Sequence, residues 1–296
     1  MGLSMPPGPI LAWFDVHERD LPWRRDEATA WHILISEFML QQTPVSRVLG
    51  PWREWVTRWP TPADMAAASG ADVLRAWGKL GYPRRAQRLH TCAKSIAAQH
   101  DNVVPDDVDA LLALPGVGEY TARAVACFAY GRAVPVVDTN VRRVIARACH
   151  GRADASTARR SDLDDASAIA PRSADGEPAP TAPRFSAALM ELGALVCTAR
   201  NPRCDACPIV GSCAWVAAGR PASTEPRKRV QRYEGTDRQA RGRLLDVLRD
   251  RTGPVERDRL DAAWPADPGQ RARALDSLLV DGLVEITDDG LFRLGG

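Results

Sequence analysis

The chain has 296 residues, a formal net charge of +2 and 45% hydrophobic residues. That length predicts one medium and one small domain, and the apolar fraction is ordinary for a globular protein. No apolar run reaches the roughly 18 residues of a spanning helix, and the near-balanced charge neither demands nor excludes a polyanionic partner. Apart from Lys79, Lys94 and Lys228 the basic residues are all arginine, which suits bidentate phosphate contacts but also follows from genome composition. The opening MGLSMPPGP has neither a charged n-region nor an apolar h-region, so no secretory route is expected and the expected location is cytoplasmic.

Residues 10–25 predict a short helix followed by an extended segment, Leu21-Pro22-Trp23-Arg24. Trp31, Ile33, Leu34, Phe38, Met39 and Leu40 predict a largely buried helix over 28–42, ended by Pro44. A helix over 45–59 carries Val48, Trp52, Trp55 and Trp59 on one face. Thr61-Pro62 is an N-cap with proline at the first helical position, opening a helix to Ala68. Helices over 71–79, 83–99, 106–113, 119–130 and 140–149 follow, and the nine tryptophans are core residues by default. Residues 151–183 are Ala-, Asp-, Ser- and Pro-rich, with a short helix over 161–168 and a loop over 171–183. Periodicity resumes at Phe185 and runs through Leu195. No alternating strand pattern precedes residue 220, so the body is all-α.

Beyond Ala218 the texture changes. A linker over 221–237 leads to helices over 238–250, 257–264 and 270–281. Leu283–Ile286 and Leu291–Leu294 around Asp288-Asp289-Gly290 predict a β-hairpin. Three helices closed by a hairpin resemble a winged helix, which suggests groove binding. Acidic and basic residues are equal in number over 221–296, so a docking role for a protein partner stays equally open.

Four cysteines, Cys197, Cys204, Cys207 and Cys213, form a C-x6-C-x2-C-x5-C run with few apolar residues between them. Such a loop lacks the apolar surface to fold by burial, and ligation of zinc or of a [4Fe–4S] cluster would supply the missing energy. Disulfides are the alternative, disfavoured where no secretory route is indicated. Cys92, Cys127 and Cys149 lie in apolar helical stretches and are small buried residues.

Three further features carry chemistry. Leu114-Pro115-Gly116-Val117-Gly118 joins two helices; its glycines permit close backbone approach, and the following helix offers free N–H groups to a DNA phosphate. Such a contact positions without reading sequence. Glu37 sits among apolar neighbours, where desolvation favours the protonated form that a general acid needs; a salt-bridged core glutamate fits the spacing as well. Asp138 directly precedes a helix, where N-cap donors would hold its carboxylate ionised at pH 7.

These segments, in this order, resemble the endonuclease III superfamily of DNA glycosylases, and within it the MutY-type adenine DNA glycosylases, over about residues 8–220. The cysteine spacing is that of the superfamily's [4Fe–4S] loop, which decides between zinc and iron–sulfur. LPGVG looks like the helix-hairpin-helix motif. SEFMLQQT is similar to the family's SExMLQQT segment, which implies Glu37 as the acid at adenine N7 and DNA-facing roles for Leu40, Gln41, Gln42 and Thr43. VDTNVRRV resembles the catalytic Asp segment, implying that Asp138 stabilises an oxocarbenium ion. Tyr120 stands where bifunctional members carry a nucleophilic lysine, which implies base excision without efficient strand cleavage. Thymine-removing T·G glycosylases also carry Tyr there.

The resemblance further implies that Arg19, Trp23 and Met190 line the adenine pocket. Lys79–Arg85 is similar to a GLGYYxR segment supplying a wedge into the base stack, either Tyr82 or Leu80, with Pro83 departing from the pattern. Ala187 replaces a common Gln or Glu beside the pocket. Arg200 and Arg203 would meet phosphate. The implied fold is a helix-hairpin-helix glycosylase core, with a six-helix barrel over 25–135 and a cluster domain over 1–24 and 136–220. The implied partner is double-stranded DNA with an 8-oxoG·A or G·A mismatch, bound by a monomer. Residues 238–296 are too few for the MutT-like domain of many family members. Rival readings are a thymine or other pyrimidine glycosylase of the same fold, and a non-catalytic iron–sulfur DNA-binding regulator.

Overall fold

The computed structural model describes residues 3–155, 157–223 and 233–296, so most of the expected linker lies outside the described residues. Its helices are α1 Pro7–His17, α2 Ala30–Leu40, α3 Val45–Arg58, α4 Pro62–Ala67, α5 Gly70–Trp77, α6 Arg84–Gln99, α7 Val108–Leu112 and α8 Glu119–Tyr130, continuing with α9 Thr139–Ala148, α10 Ser161–Ile169, α11 Ala182–Leu195, α12 Ala214–Ala217, α13 Asp237–Arg249, α14 Arg257–Ala263 and α15 Pro268–Val280. Strands β1 Val284–Ile286 and β2 Phe292–Leu294 pair antiparallel, Glu285 opposite Arg293. No helix among the described residues is long and apolar enough to cross a membrane.

Two compact units divide the chain. One gathers the described parts of residues 1–33, 106–111 and 118–227; the other gathers 34–105, 112–117 and 228–296. In the first, α11 packs against α1 and α9, burying Ile10, Phe14, Val144, Ile145, Phe185, Leu189 and Leu192 in one core. α9 is amphipathic, with Val141, Val144, Ile145 and Ala148 buried at helical spacing. α9 and α11 approach closely at Gly193, where a Cβ would lie 2.6 Å from Asn140 Cβ and 2.9 Å from its carbonyl oxygen.

In the second unit α6 packs on α4 and α5. The expected core role of the tryptophans holds for Trp52, Trp55, Trp59 and Trp77, all buried. The Trp55 ring meets Trp59 and Trp77 edge-on at 4.9 and 5.3 Å, and the Trp55 and Trp77 indole N–H groups donate to Ala76 O and Gly81 O. Thr61 makes the expected N-cap, as a full capping box with Asp64. α2 is shorter than its apolar pattern, ending at Leu40, because Gln42 takes a left-handed φ of 57° before Pro44.

The same unit contains the C-terminal module. α13 packs on α14 and α15, and the hairpin packs on α13 and α15, giving the winged-helix-like arrangement. Val255 pairs with Phe292 as an isolated antiparallel bridge beside the hairpin. The turn places Gly290 at φ 75°, which explains the glycine after two aspartates. The short helix α12, after the last cysteine, has too little periodicity to be seen in the sequence.

Gly193→Ala should shift the thermal midpoint down, by an amount equivalent to about 1–3 kcal/mol of overpacking, because the contact is backbone and Cβ rather than a flexible side-chain end. Differential scanning calorimetry of the folded chain would show it.

Candidate active site and cluster loop

Ser36, Glu37, Phe38 and Met39 of α2 are all buried. Glu37 is 6% exposed, a carboxyl in a helix whose other residues, His32 apart, are apolar or small. The end of this helix is held by Arg85, whose Nη1 donates to Phe38 O and Met39 O, both at 2.9 Å. The last carbonyls of a helix have no partners within it and carry its negative dipole end. A guanidinium is therefore well matched to them.

Arg85 Nη2 also donates to Thr43 Oγ1 at 2.9 Å and Gly81 O at 3.0 Å, and the cation lies 5.0 Å from the Trp77 ring centroid. Burial pulls its pKa down to about 10, so it stays charged at neutral pH. The sequence placed Arg85 only as the end of a motif and gave it no role. Thr43, expected to face DNA, is buried and bonded to Arg85. Gln42 is exposed, and Leu40 and Gln41 are partly so.

The turn before α6 separates the two wedge candidates. Leu80 is 4% exposed and Tyr82 is 42% exposed, with Tyr82 at φ 49°. In the hairpin, Gly116 has φ 79°, and a Cβ there would meet Arg88 Cβ at 2.7 Å. Glycine is thus demanded sterically. Gly118 caps α8 at an ordinary φ of −102° with open space around it.

The first unit holds the other candidates. Asp138 is the N-cap of α9, accepting from Val141 N and Asn140 Nδ2, both at 2.7 Å. The sequence predicted that these donors would dominate. Instead burial outweighs them and the nearby Arg143 charge, leaving the Asp138 pKa raised. Tyr120 and Met190 come together on a small cluster of Ala124, Cys127 and Val136, while Ala187 packs on the larger core. Trp23 is buried.

Arg19 points onto Glu191, a residue the sequence reading missed. Its Nε and Nη2 donate to the two carboxylate oxygens at 2.6 and 2.8 Å, and its backbone N–H adds a third bond at 3.0 Å. Arg24 Nη2 adds a fourth at 3.0 Å. Burial pushes the fully buried Glu191 carboxyl up, but these donors and charges win, and its pKa is lowered. A Glu one residue after Met190, on the buried face of α11, was the available signal.

None of the four cysteines of the run is in a disulfide. The loop is built from two short 3-10 turns, Cys204–Ala206 and Val210–Ser212. Burial pushes the Cys207 thiol up to about 11, and Cys197, Cys204 and Cys213 each add to the rise, so the four lie within one another's fields. Arg147 Nη1 approaches Cys197 Sγ at 3.4 Å, and Arg143 Nε donates to Cys197 O at 2.7 Å. Among the described residues no three donor side chains converge as on a single ion. The fit to a cluster rests on four cysteines outside any disulfide, whose thiolates would repel one another, and on the cations beside them: deprotonated together, they need iron to neutralise them. Arg200 is exposed, and Arg203 is exposed with its guanidinium turned onto Leu195 O.

Residues 35–163 match the HhH-GPD superfamily of base excision DNA repair proteins, and residues 197–213 match the iron–sulfur binding domain of endonuclease III. A thermostable thymine-DNA glycosylase structure superposes at TM-score 0.62 with 25% identity, covering 72% of this chain and 95% of that one. A trapped endonuclease III–DNA intermediate superposes at 0.59 with 22% identity, covering 72% and 94%, which bears on the fold alone.

Among relatives, adenine DNA glycosylase of Mycolicibacterium smegmatis is 64% identical over 99% of this chain and 97% of its own length. That of Mycobacterium tuberculosis is 62% identical over 97% and 92%. The human enzyme of that name is 40% identical over 70% of this chain and 38% of its own length. The chain therefore belongs to the MutY-type adenine DNA glycosylase family of the HhH-GPD superfamily, with a short C-terminal module that the mycobacterial relatives' alignments also span. Its cysteine loop holds a [4Fe–4S] cluster.

Glu191→Gln should destabilise the protein at pH 7 by about 1–3 kcal/mol, less than for a fully buried pair because Arg19 and Arg24 keep solvent access. The folded pKa of Glu191 is depressed, so its contribution is complete above the unfolded value near 4.3 and is lost as pH falls through the folded one. The difference between wild type and variant in denaturant unfolding should accordingly be constant from pH 7 to about 5 and shrink below about 4.

Proposed function

We propose that the protein is a monofunctional adenine DNA glycosylase that removes adenine opposite 8-oxoguanine, or opposite guanine, in double-stranded DNA. The observation that carries this reading is Glu37: a buried carboxyl in an apolar helix, within SEFMLQQT, in a chain so similar to proteins named adenine DNA glycosylase. An adenine stacked in a duplex cannot reach a buried acid, so the base is flipped out.

Glu37 protonates adenine N7, which makes the base a neutral leaving group, and the N-glycosidic bond breaks. Asp138 stabilises the sugar cation by electrostatics or by transient bonding, with Tyr120 in support, and water completes an abasic site. The Asp138 carboxyl must be ionised for this, and its raised pKa puts the acidic limb of activity above the ordinary aspartate range. A phenol at position 120 supplies no amine for Schiff-base strand cleavage.

Around this chemistry, Arg19, Trp23 and Met190 bound the base pocket, with Arg19 fixed by Glu191. Tyr82 enters the stack, Leu40, Gln41 and Gln42 meet the duplex, and Gly116–Gly118 seat a phosphate. The core spans 1–220 and the C-terminal module 238–296; the protein works in the cytoplasm on the nucleoid. Loaded with its cluster, the cysteine loop orders its own arginines and braces α9.

Single-turnover assays on labelled 8-oxoG·A, G·A, T·G and 8-oxoG·C duplexes test the reading. Strand breaks are expected at adenine of the first two duplexes, and only after alkali. Glu37→Gln should bind the 8-oxoG·A duplex with near-normal affinity and excise about 10²–10⁴-fold more slowly. Thymine release from T·G, or undiminished excision by the variant, would refute it.

A further inference from the structure

The C-terminal module is fastened beside the turn that carries Tyr82. Gln87 Nε2 donates to Gly282 O at 2.8 Å, and Arg249 Nε donates to Leu74 O at 3.3 Å. Arg75 Nη2 donates to Arg251 O at 3.1 Å. Asp281 ties two elements at once, pairing with Arg84 of α6 at 3.3 Å and with Arg241 of α13 at 2.6 Å. Arg84 follows Tyr82 by two residues, so this carboxylate sets α13 at a fixed place against the turn.

One helical turn before Arg241, on the same face of α13, stands Arg238. Its guanidinium carbon lies 4.5 Å from the Tyr82 ring centroid and 5.9 Å from that of Tyr233. The Arg85 guanidinium lies 5.5 Å from the same Tyr82 ring. Tyr82 thus projects from a left-handed backbone position with its ring held by two cations, one from the barrel and one from the C-terminal module.

We propose that Arg238 is a positioning residue for Tyr82, so that the C-terminal module acts on the lesion duplex by holding the stacking tyrosine in place. This rests on the reading of Tyr82 as the residue that enters the base stack. A half-exposed tyrosine on a turn would otherwise sample several rotamers, and ordering it on binding costs affinity. A cation over the ring face removes part of that cost beforehand. Arg238 does this through Tyr82, without itself touching the reacting atoms.

The test is a binding cycle on a duplex carrying 8-oxoguanine opposite a tetrahydrofuran abasic analogue, which cannot be cleaved. Dissociation constants would be measured between 50 and 200 mM salt for wild type, Arg238→Ala, Tyr82→Ala and the double variant, with Arg238→Gln as a second probe of the same contact. In the Tyr82 background, Arg238→Ala should weaken binding about two- to fivefold, the range expected for an exposed cation–π contact, with the salt slope unchanged. In the Tyr82→Ala background it should change nothing further.

Equal losses in both backgrounds, or a salt slope smaller by about one, would show a direct phosphate contact and overturn the proposal. Adenine excision by the wild type from 8-oxoG·A is read separately. If adenine is not released there, the functional reading fails, whereas loss of coupling with normal excision sinks only the role of Arg238.

Discussion

The Arg85 guanidinium is the constraint on which the second unit depends. It donates to the carbonyls at the end of α2, to the Thr43 hydroxyl oxygen and to the carbonyl of Gly81 in one buried fan of hydrogen bonds. A buried cation without such partners would be strongly unfavourable, so the segments supplying them are held to one another. Those segments are the helix that carries Glu37 and the turn that carries Tyr82. A lysine has the charge but not the planar, forked donors needed to reach several carbonyls at once.

In the first unit the corresponding device is a pair of arginines on α9. Arg143 reaches Gly193 O and Cys197 O; Arg147 reaches Thr198 O and the Cys197 thiol, with its cation 4.9 Å from the Trp215 ring centroid. The helix whose N-cap is Asp138 is therefore bonded directly to the cysteine loop. Four thiolates in a small volume repel one another and attract these guanidiniums. Iron ligation supplies the folding energy that the loop's sparse apolar residues cannot. The order of the cysteine loop therefore bears on how the Asp138 carboxylate is held.

Much of this was legible in the sequence because it rests on local rules. The apolar spacing of the helices, the Thr61 capping box, the hairpin glycines and the cysteine spacing each have a short-range cause. What escaped was long-range. Arg19 pairs with Glu191 across 172 positions, Arg85 reaches back to Phe38, and no local pattern announces a partner so distant. Asp138 shows a different limit: its donors were foreseeable from its N-cap position, but the burial that overrides them arises only from tertiary packing. The placement of 238–296 on α5 and α6 was also invisible, because its bonds go largely to backbone carbonyls, which every sequence has.

Arg85 couples the end of α2 to the Tyr82 turn, and hydrogen–deuterium exchange of Arg85→Met tests that coupling most directly. Methionine fills similar space without donors. Amides of residues 40–43 and 80–85 should lose protection together, while those of α9 keep wild-type exchange. If the end of α2 retained full protection while only the turn loosened, the two segments would be independent and the account contradicted.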